Sequence, residues 1–145
     1  MKSLALLIKA GFGEEEDYNC AEKILYGANV AYDMGLDKES LKLAAGFGAG
    51  MGVEDVCGVV CASCMVLSYF FVNNVAHEGT RIKELTSEYI SRYHYVMGSI
   101  NCRELQEQYR SDYIRCYWVI YKAAEILDDI VFRELAIGQK NNYWK

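Results

Sequence analysis

The chain has 145 residues, no proline and an apolar fraction of 52%, with 12 Tyr and 5 Phe. This length and composition are typical of a globular domain with its own hydrophobic core, and they exclude a disordered chain. The formal net charge is −5 and no basic stripe is visible, which argues against nucleic-acid binding because phosphates are bound by clustered Lys and Arg.

The first third of the chain predicts three helices. A short apolar helix covers Leu4–Lys9. A second helix is expected to start at the acidic run Glu14–Asp17, because negative charge suits a helix N-terminus. Asp37 is a good N-cap for a short third helix over Ser40–Ala45.

The centre of the chain predicts a fourth and most buried helix, at about 54–72, entered through the glycine-rich run Gly46–Gly52. Its apolar stretch, Val56–Val72, has the length of a short membrane span. No cationic anchor flanks it, so a buried helix is the better interpretation and no membrane span is predicted. With the other helices packed around it, residues 1–145 are expected to form a single all-α domain.

The last third predicts a fifth helix from Thr80 to Gly98, followed by a short turn and a long final helix over 112–135. Ser111 is the expected N-cap of that final helix. The polar tail 138–145 is expected to be frayed. The sequence therefore predicts an all-α bundle of about five to six helices around the buried central one.

Six cysteines are many for a chain of this size, although fewer than a disulfide scaffold uses. No secretory signal opens the chain, because the apolar start is short and leads into acidic residues. These features predict a cytoplasmic location. In that reducing compartment, spaced cysteines indicate redox or metal chemistry before structural bridges.

Three of the cysteines, Cys57, Cys61 and Cys64, are spaced by four and three residues, as on one face of a helix. Cys57 is expected in the first helical turn, where the helix dipole lowers a thiol pKa, and is therefore the predicted reactive thiol. Cys61 and Cys64 are expected deeper, as small apolar side chains of the core.

No cofactor is indicated. The glycine-rich run has no preceding strand and no following Lys, as a nucleotide loop would require. A haem would need axial ligands from His77, His94 or Met65, and nothing in their spacing favours that role. Cofactor and metal are therefore left open.

Cys57 and three further cysteines lie in four separate segments of the chain. Cys20 lies in YNCAEKIL, Cys57 opens CGVVCASCMVL, Cys102 lies in SINCREL and Cys116 opens CYWVIYKAAEIL, with GLDKESLKLAAGFGAGMG between the first two. Over about 18–129 the chain resembles the C_GCAxxG_C_C family. The resemblance implies an all-α domain with redox activity through Cys20, Cys57, Cys102 and Cys116, without an established substrate.

The chain departs from the family motif CGAxxG in two places. Val59 stands for the Ala and Ala62 for the final Gly. Cys61 and Cys64 are additional cysteines at positions that the family pattern does not reserve for this residue. Since Ala62 is still small, the fold is expected to be retained.

Three functions are compatible with the sequence. In the first, which we favour, the Cys57 thiolate is the attacking group in thiol–disulfide exchange. Cys20, Cys102 or Cys116 is then the resolving partner or part of a second pair. In the second, these four cysteines ligate a metal or an iron–sulfur cluster. In the third, a helical interaction module uses its cysteines only for packing. The expected partner is an unidentified redox protein or small-molecule oxidant or reductant, and a homodimer is compatible with the sequence.

Overall fold

The structure is a computed structural model that describes the backbone of residues 1–141 and the side chains of residues 1–138. All regular elements in this range are helical, which confirms the all-α prediction; seven α-helices are present, two of them short. They are α1 (Leu4–Lys9), α2 (Cys20–Ala31), α3 (Lys38–Leu41), α4 (Gly58–Phe71), α5 (Arg81–Met97), α6 (Cys102–Tyr109) and α7 (Tyr117–Asn141). None of the described helices is long and apolar enough to cross a membrane.

The central helix of the bundle is α4, which packs against α2, α5 and α7. Its buried side chains recur every three to four residues and include Val59, Ala62 and Val66, none of which is exposed. The helix starts at Gly58 rather than at Glu54, because the chain turns sharply just before it. Glu54 itself has a left-handed backbone conformation, with φ 57°, that an α-helix does not tolerate.

The second helix begins later than the acidic run predicts. Asn19 is the N-cap of α2, and its side-chain oxygen accepts a hydrogen bond from the N–H of Glu22 at 2.9 Å. The Glu22 carboxylate in turn accepts from the N–H of Asn19 at 2.9 Å, which completes a capping box. The prediction of a start at Glu14–Asp17 is therefore wrong, and Cys20 becomes the first residue of α2.

The final helix also begins later than predicted. Ser111 does not cap it, because Ser111 and Arg115 close a tight turn through two backbone hydrogen bonds of 3.4 and 2.7 Å. Cys116 is the residue before α7, and its carbonyl accepts from the N–H of Ile120 at 3.1 Å. The helix runs to Asn141, while residues 142–145 of the predicted frayed tail lie outside the described residues.

Other predicted boundaries are confirmed by their caps. Thr80 precedes α5, and Gly98 ends it in the left-handed conformation with φ 84°. Asp37 caps α3 by accepting from the N–H of Ser40 at 2.8 Å. This helix covers only Lys38–Leu41, and a 3₁₀ segment continues the chain.

A buried carboxylate on α7 holds the start of α1. Asp128 accepts hydrogen bonds from the backbone N–H groups of Leu4 at 2.8 Å and Ala5 at 3.0 Å. It also accepts from the hydroxyls of Ser3 at 2.7 Å and Tyr32 at 2.6 Å. Because the first N–H groups of a helix have no partner within it, Asp128 satisfies donors that burial would otherwise leave unpaired.

Candidate thiol site

Four cysteines lie at the N-termini of four different helices. Cys20 and Cys102 are the first residues of α2 and α6, and Cys57 and Cys116 directly precede α4 and α7. All four line one cleft with a volume of about 770 Å³. Free N–H groups and the positive end of the helix dipole stabilise a thiolate at such positions, whereas burial acts against it.

The segments that carry Cys57 and Cys102 are joined by a short antiparallel bridge. The N–H of Cys57 donates to the carbonyl of Ile100 at 2.8 Å, and the N–H of Cys102 donates to the carbonyl of Asp55 at 2.7 Å. In this pairing Cys57 and Cys102 are diagonal neighbours on one face. The bridge therefore directs both thiols towards the same cleft.

Gly58 leaves the space in which Cys20 meets Cys57. A Cβ atom at Gly58 would lie 3.0 Å from the Cys20 sulfur, 3.0 Å from the Ala21 Cβ and 2.7 Å from the Phe47 carbonyl oxygen. These contacts are too close for any side chain. The Cys57–Gly58 dipeptide thus supplies a thiol and the room for its partner together.

Cys20 and Cys57 are neighbouring thiols, and Cys20 is the member of the pair whose pKa is lowered. The Cys57 thiol donates to Cys20, and backbone N–H groups of Ala49, Ala21 and Gly58 add to this effect, so that the pKa of Cys20 falls to about 6 despite burial. The pKa of Cys57 is raised, because the hydrogen bond to Cys20 retains its proton and burial disfavours a second charge. The prediction that Cys57 has the lowered pKa is therefore wrong.

The other two cysteines of the cleft are closer to ordinary thiols. Burial raises the pKa of Cys102, whose sulfur accepts a hydrogen bond from the Gln106 amide at 3.2 Å. Burial also raises the pKa of Cys116, although the Arg110 guanidinium, 3.7 Å from its sulfur, acts in the opposite direction. Cys20 is thus the only thiol of the cleft with a lowered pKa.

Accessibility separates the two members of the pair. Cys20 is half-buried and faces the cleft, whereas Cys57 is only 3% exposed. The rim includes the ion pair Lys23–Glu14, with 2.6 Å between nitrogen and oxygen, and the ring of Tyr113, which is 96% exposed. A reagent that enters the cleft therefore meets Cys20 before Cys57.

The two additional cysteines of α4 do not lie where the sequence predicts. Cys61 and Cys64 are half-buried rather than deep in the core, and neither lines the cleft. Burial raises the pKa of both, that of Cys64 to about 11. The prediction that these two side chains are deeply buried in the core is therefore wrong.

No ready metal centre is formed by these side chains. Among the residues whose side chains are described, no three of His, Cys, Asp or Glu lie close enough together to hold one metal ion. The possible haem ligands His77, His94 and Met65 are not among the residues that line the cleft.

The comparison with protein families agrees with this arrangement. A family model described as "Putative redox-active protein (C_GCAxxG_C_C)" matches residues 18–130, well over half of the chain. The chain belongs to the C_GCAxxG_C_C family. No curated protein and no solved structure matches the chain.

The C_GCAxxG_C_C motif can now be interpreted in physical terms. Its CG dipeptide is Cys57–Gly58, in which the glycine makes room for the Cys20 sulfur. The two departures, Val59 and Ala62, are fully buried in the core and do not line the cleft. The side chains at these two positions therefore lie away from the cleft.

Sequence analysis missed the polar groups around the four cysteines, among them Lys23, Gln106 and Arg110. No motif marks them, since they come from segments that only the fold brings together. One signal was available for the pair itself. The capping box of Asn19 and Glu22 places Cys20 at a helix start, and that position predicts a lowered thiol pKa.

Proposed function

We propose that this protein is a thiol–disulfide redox protein in which Cys20 is the attacking thiolate and Cys57 the resolving thiol. The observation that carries this proposal is the close approach of the Cys20 sulfur to the Cys57–Gly58 dipeptide, where the N-termini of α2 and α4 meet at one cleft. A thiolate is the nucleophile in disulfide exchange, and a second thiol within reach is required to complete it.

The reaction takes place in two exchanges. The Cys20 thiolate attacks one sulfur of a substrate disulfide, so that a mixed disulfide forms and the other half of the substrate leaves as a thiolate. Cys57 then gives its proton to that leaving group and attacks the Cys20 sulfur. The Cys20–Cys57 disulfide forms, and the second half of the substrate leaves as a thiolate that takes a proton from solvent. Two protein thiols are oxidised and one substrate disulfide is reduced.

The burial of Cys57 suits the resolving role. Because external reagents reach Cys20 first, the mixed disulfide forms on the half-buried thiol, and the protected thiol lies next to the sulfur that it must attack. The cleft volume of about 770 Å³ is in the range of sites for small molecules, so a low-molecular-weight disulfide can enter it. An exposed disulfide loop of a protein is the other substrate of this chemistry.

A metal or iron–sulfur centre on Cys20, Cys57, Cys102 and Cys116 is supported less well. The four thiols share the cleft, but no three of the described ligand side chains lie close enough to share an ion. A tetrahedral thiolate site requires all four sulfurs at about 2.3 Å from one metal. Such a site would need a rearrangement of the segments around Cys102 and Cys116.

The test uses the anaerobically purified, fully reduced protein and bis(2-hydroxyethyl) disulfide. We expect the wild type to release two equivalents of 2-mercaptoethanol for each protein disulfide formed. Cys20→Ser should lose this reaction at the cleft, whereas Cys57→Ser should stop at one equivalent and retain a mixed disulfide on Cys20. Mass spectrometry of the intact and digested protein measures each species.

The control for this test is Ser68→Ala, a change of an exposed residue on α4 outside the cleft. It should react as the wild type does. An unchanged reaction at the cleft in Cys20→Ser would contradict the assignment of Cys20. Near-stoichiometric iron or zinc in the native protein, lost together with Cys102 or Cys116, would favour the metal centre instead.

A further inference from the structure

Two cysteines on α4 and a third directly before it lead from the cleft to another part of the surface. Cys57 lies in the cleft, directly before the helix, and Cys61 and Cys64 follow at positions four and seven residues later. Residues at this spacing lie along one side of a helix. Cys61 and Cys64 are half-buried, so reagents outside the cleft can reach them. The proposed exchange at Cys20 and Cys57 uses neither of them.

We propose that Cys61 and Cys64 form a second redox pair, which accepts electrons from a dithiol outside the cleft and passes them to the Cys20–Cys57 disulfide. This inference rests on the proposed function, because it needs that disulfide as its electron acceptor. The ligand class of the second site is a dithiol, carried by a protein or by a small molecule.

The geometry of α4 brings the three thiols within range of one another. Side chains three or four residues apart on a helix have Cβ atoms about 5–6 Å apart. A disulfide needs about 3.5–4.5 Å between these atoms, so each bond requires a local shift of about 1–2 Å. Cys57 has extended backbone angles, φ −61° and ψ 135°, and lies outside the regular helix. Its carbonyl accepts from the N–H groups of Val60 at 3.0 Å and Cys61 at 3.4 Å, so Cys57 lies directly against the first turn of α4.

The first exchange opens the disulfide in the cleft. Cys61, as the thiolate, attacks the Cys57 sulfur, the Cys20–Cys57 bond breaks and Cys20 leaves as a thiolate. Attack at Cys57 is favoured over attack at Cys20, because the better leaving group is the thiol with the lower pKa. The product is a Cys57–Cys61 disulfide, and the proton of Cys61 passes to solvent.

The second exchange moves the bond to the far pair. Cys64 attacks the Cys61 sulfur, and Cys57 leaves and takes up the proton that Cys64 loses. The result is a Cys61–Cys64 disulfide and a reduced Cys20–Cys57 pair, with no electrons gained or lost overall. An external dithiol then reduces Cys61–Cys64 by the same chemistry, and becomes a disulfide itself.

The direction of transfer follows from the surroundings of the sulfurs. Four groups stabilise the Cys20 thiolate, and a stabilised thiolate makes its disulfide easy to reduce. Burial disfavours the thiolates of Cys61 and Cys64, so their disulfide is harder to reduce. Electrons therefore move from the Cys61–Cys64 pair to the Cys20–Cys57 pair.

The experiment adds one equivalent of bis(2-hydroxyethyl) disulfide to the reduced full chain, stops samples with acid at successive times and maps disulfides by mass spectrometry after alkylation. In the wild type, Cys20–Cys57 should form first, and Cys61–Cys64 should exceed it about ten-fold or more at equilibrium. Cys61→Ser should stop at Cys20–Cys57. In Cys64→Ser the disulfide found should be Cys57–Cys61 or Cys20–Cys57 instead of Cys61–Cys64. Circular dichroism confirms that both variants are folded.

Cys20→Ser separates transfer within the protein from direct oxidation by the reagent. We expect its Cys61–Cys64 disulfide to form about ten-fold more slowly than in the wild type or not at all. An unchanged rate in Cys20→Ser would overturn the transfer between the two pairs, and a wild type that stays at Cys20–Cys57 would overturn the second pair; the proposed function stands in both cases. If Cys61→Ser forms no disulfide at Cys20, the proposed function itself fails.

Discussion

Cys20 differs from the other five cysteines in the groups around its sulfur. Its pKa is lowered by a hydrogen bond from the neighbouring Cys57 thiol and by hydrogen bonds from the backbone N–H groups of Ala21, Ala49 and Gly58, which lie in three segments of the chain. Only the first of these segments is local in sequence. The sequence therefore predicts only the local part of this environment, the position of Cys20 at the start of α2, and not the contacts with Ala49 and Gly58.

The titration of Cys20 is the most direct test of this environment. Absorbance of the thiolate at 240 nm should rise with a midpoint near pH 6, since the folded protein lowers the pKa of Cys20 to about 6. The rate of alkylation by iodoacetamide should rise over the same range and level off above it. Below pH 6 the thiol is protonated and this reactivity is lost.

In Cys20→Ser that titration step should be absent, whereas in Cys116→Ser it should remain. A midpoint at the ordinary thiol value in the wild type would contradict the hydrogen-bonded pair. The same step should move upwards in Cys57→Ser, because the hydrogen bond from Cys57 is the largest cause of the lowered pKa.

Gly58→Ala should destabilise the protein and disturb the pair. Ala is better than Gly in a helix by about 1 kcal/mol. The added Cβ would however lie 2.7 Å from the Phe47 carbonyl oxygen, against backbone that cannot move aside cheaply. Overpacking of this kind costs about 1–3 kcal/mol, so we expect a net loss of up to about 2 kcal/mol in urea unfolding.

The matched control for this substitution is Gly46→Ala, because a Cβ there meets nothing within 4 Å. It should be neutral or slightly stabilising. If Gly58→Ala leaves both the stability and the Cys20 titration unchanged, the close approach of Cys20 to Gly58 is wrong.

The limits of a helix could be predicted from the sequence where nearby residues fix its ends. The end of α5 was predicted because a left-handed Gly such as Gly98 ends a helix without help from elsewhere. The start of α7 was missed because Ser111 bonds to Arg115 across a turn instead of to the helix. Ser and acidic residues favour turns as well as helix starts, so their presence alone does not distinguish the two.

At the N-terminus of α1, Asp128→Asn should weaken the protein strongly. The amide has only one acceptor oxygen and no charge, whereas the carboxylate accepts from Leu4, Ala5, Ser3 and Tyr32. Hydrogen bonds to a charged group contribute about 1.5–3 kcal/mol each, and the amide keeps part of them. We expect a loss of about 2–4 kcal/mol in the free energy of unfolding, measured with urea.

Asp129→Asn is a suitable control, because Asp129 is the next residue along α7 and its side chain is 67% exposed. It forms an ion pair with Arg92, with 2.8 Å between nitrogen and oxygen. Exposed pairs contribute about 0–1 kcal/mol, so this change should be small. Equal losses for the two variants would contradict the role given to Asp128.

The reduction potential is a property of the whole molecule, since backbone N–H groups from three segments of the chain and a buried partner thiol stabilise the Cys20 thiolate. Below pH 6 both Cys20 and Cys57 are protonated when reduced, so the midpoint potential should fall by about 59 mV per pH unit. Above pH 6 only Cys57 takes up a proton, and the slope should be about 30 mV per pH unit.

This change of slope can be measured by equilibration with a dithiol of known potential and mapping of the Cys20–Cys57 disulfide. Cys61→Ser is the appropriate background, because there the second pair cannot form. A constant slope of about 59 mV per pH unit up to pH 8 would show that Cys20 remains protonated.

The site takes one cysteine from each of four distant segments, and this has a consequence for the newly made chain. Cys20 leaves the ribosome long before the segments of Cys57, Cys102 and Cys116, and until Ala49 and Gly58 lie against it its thiol has an ordinary pKa. In stopped-flow refolding the thiolate absorbance should therefore appear with native packing, not with initial helix formation. Redox reactivity is acquired at the end of folding, so an incomplete chain exposes no activated thiol to the cell.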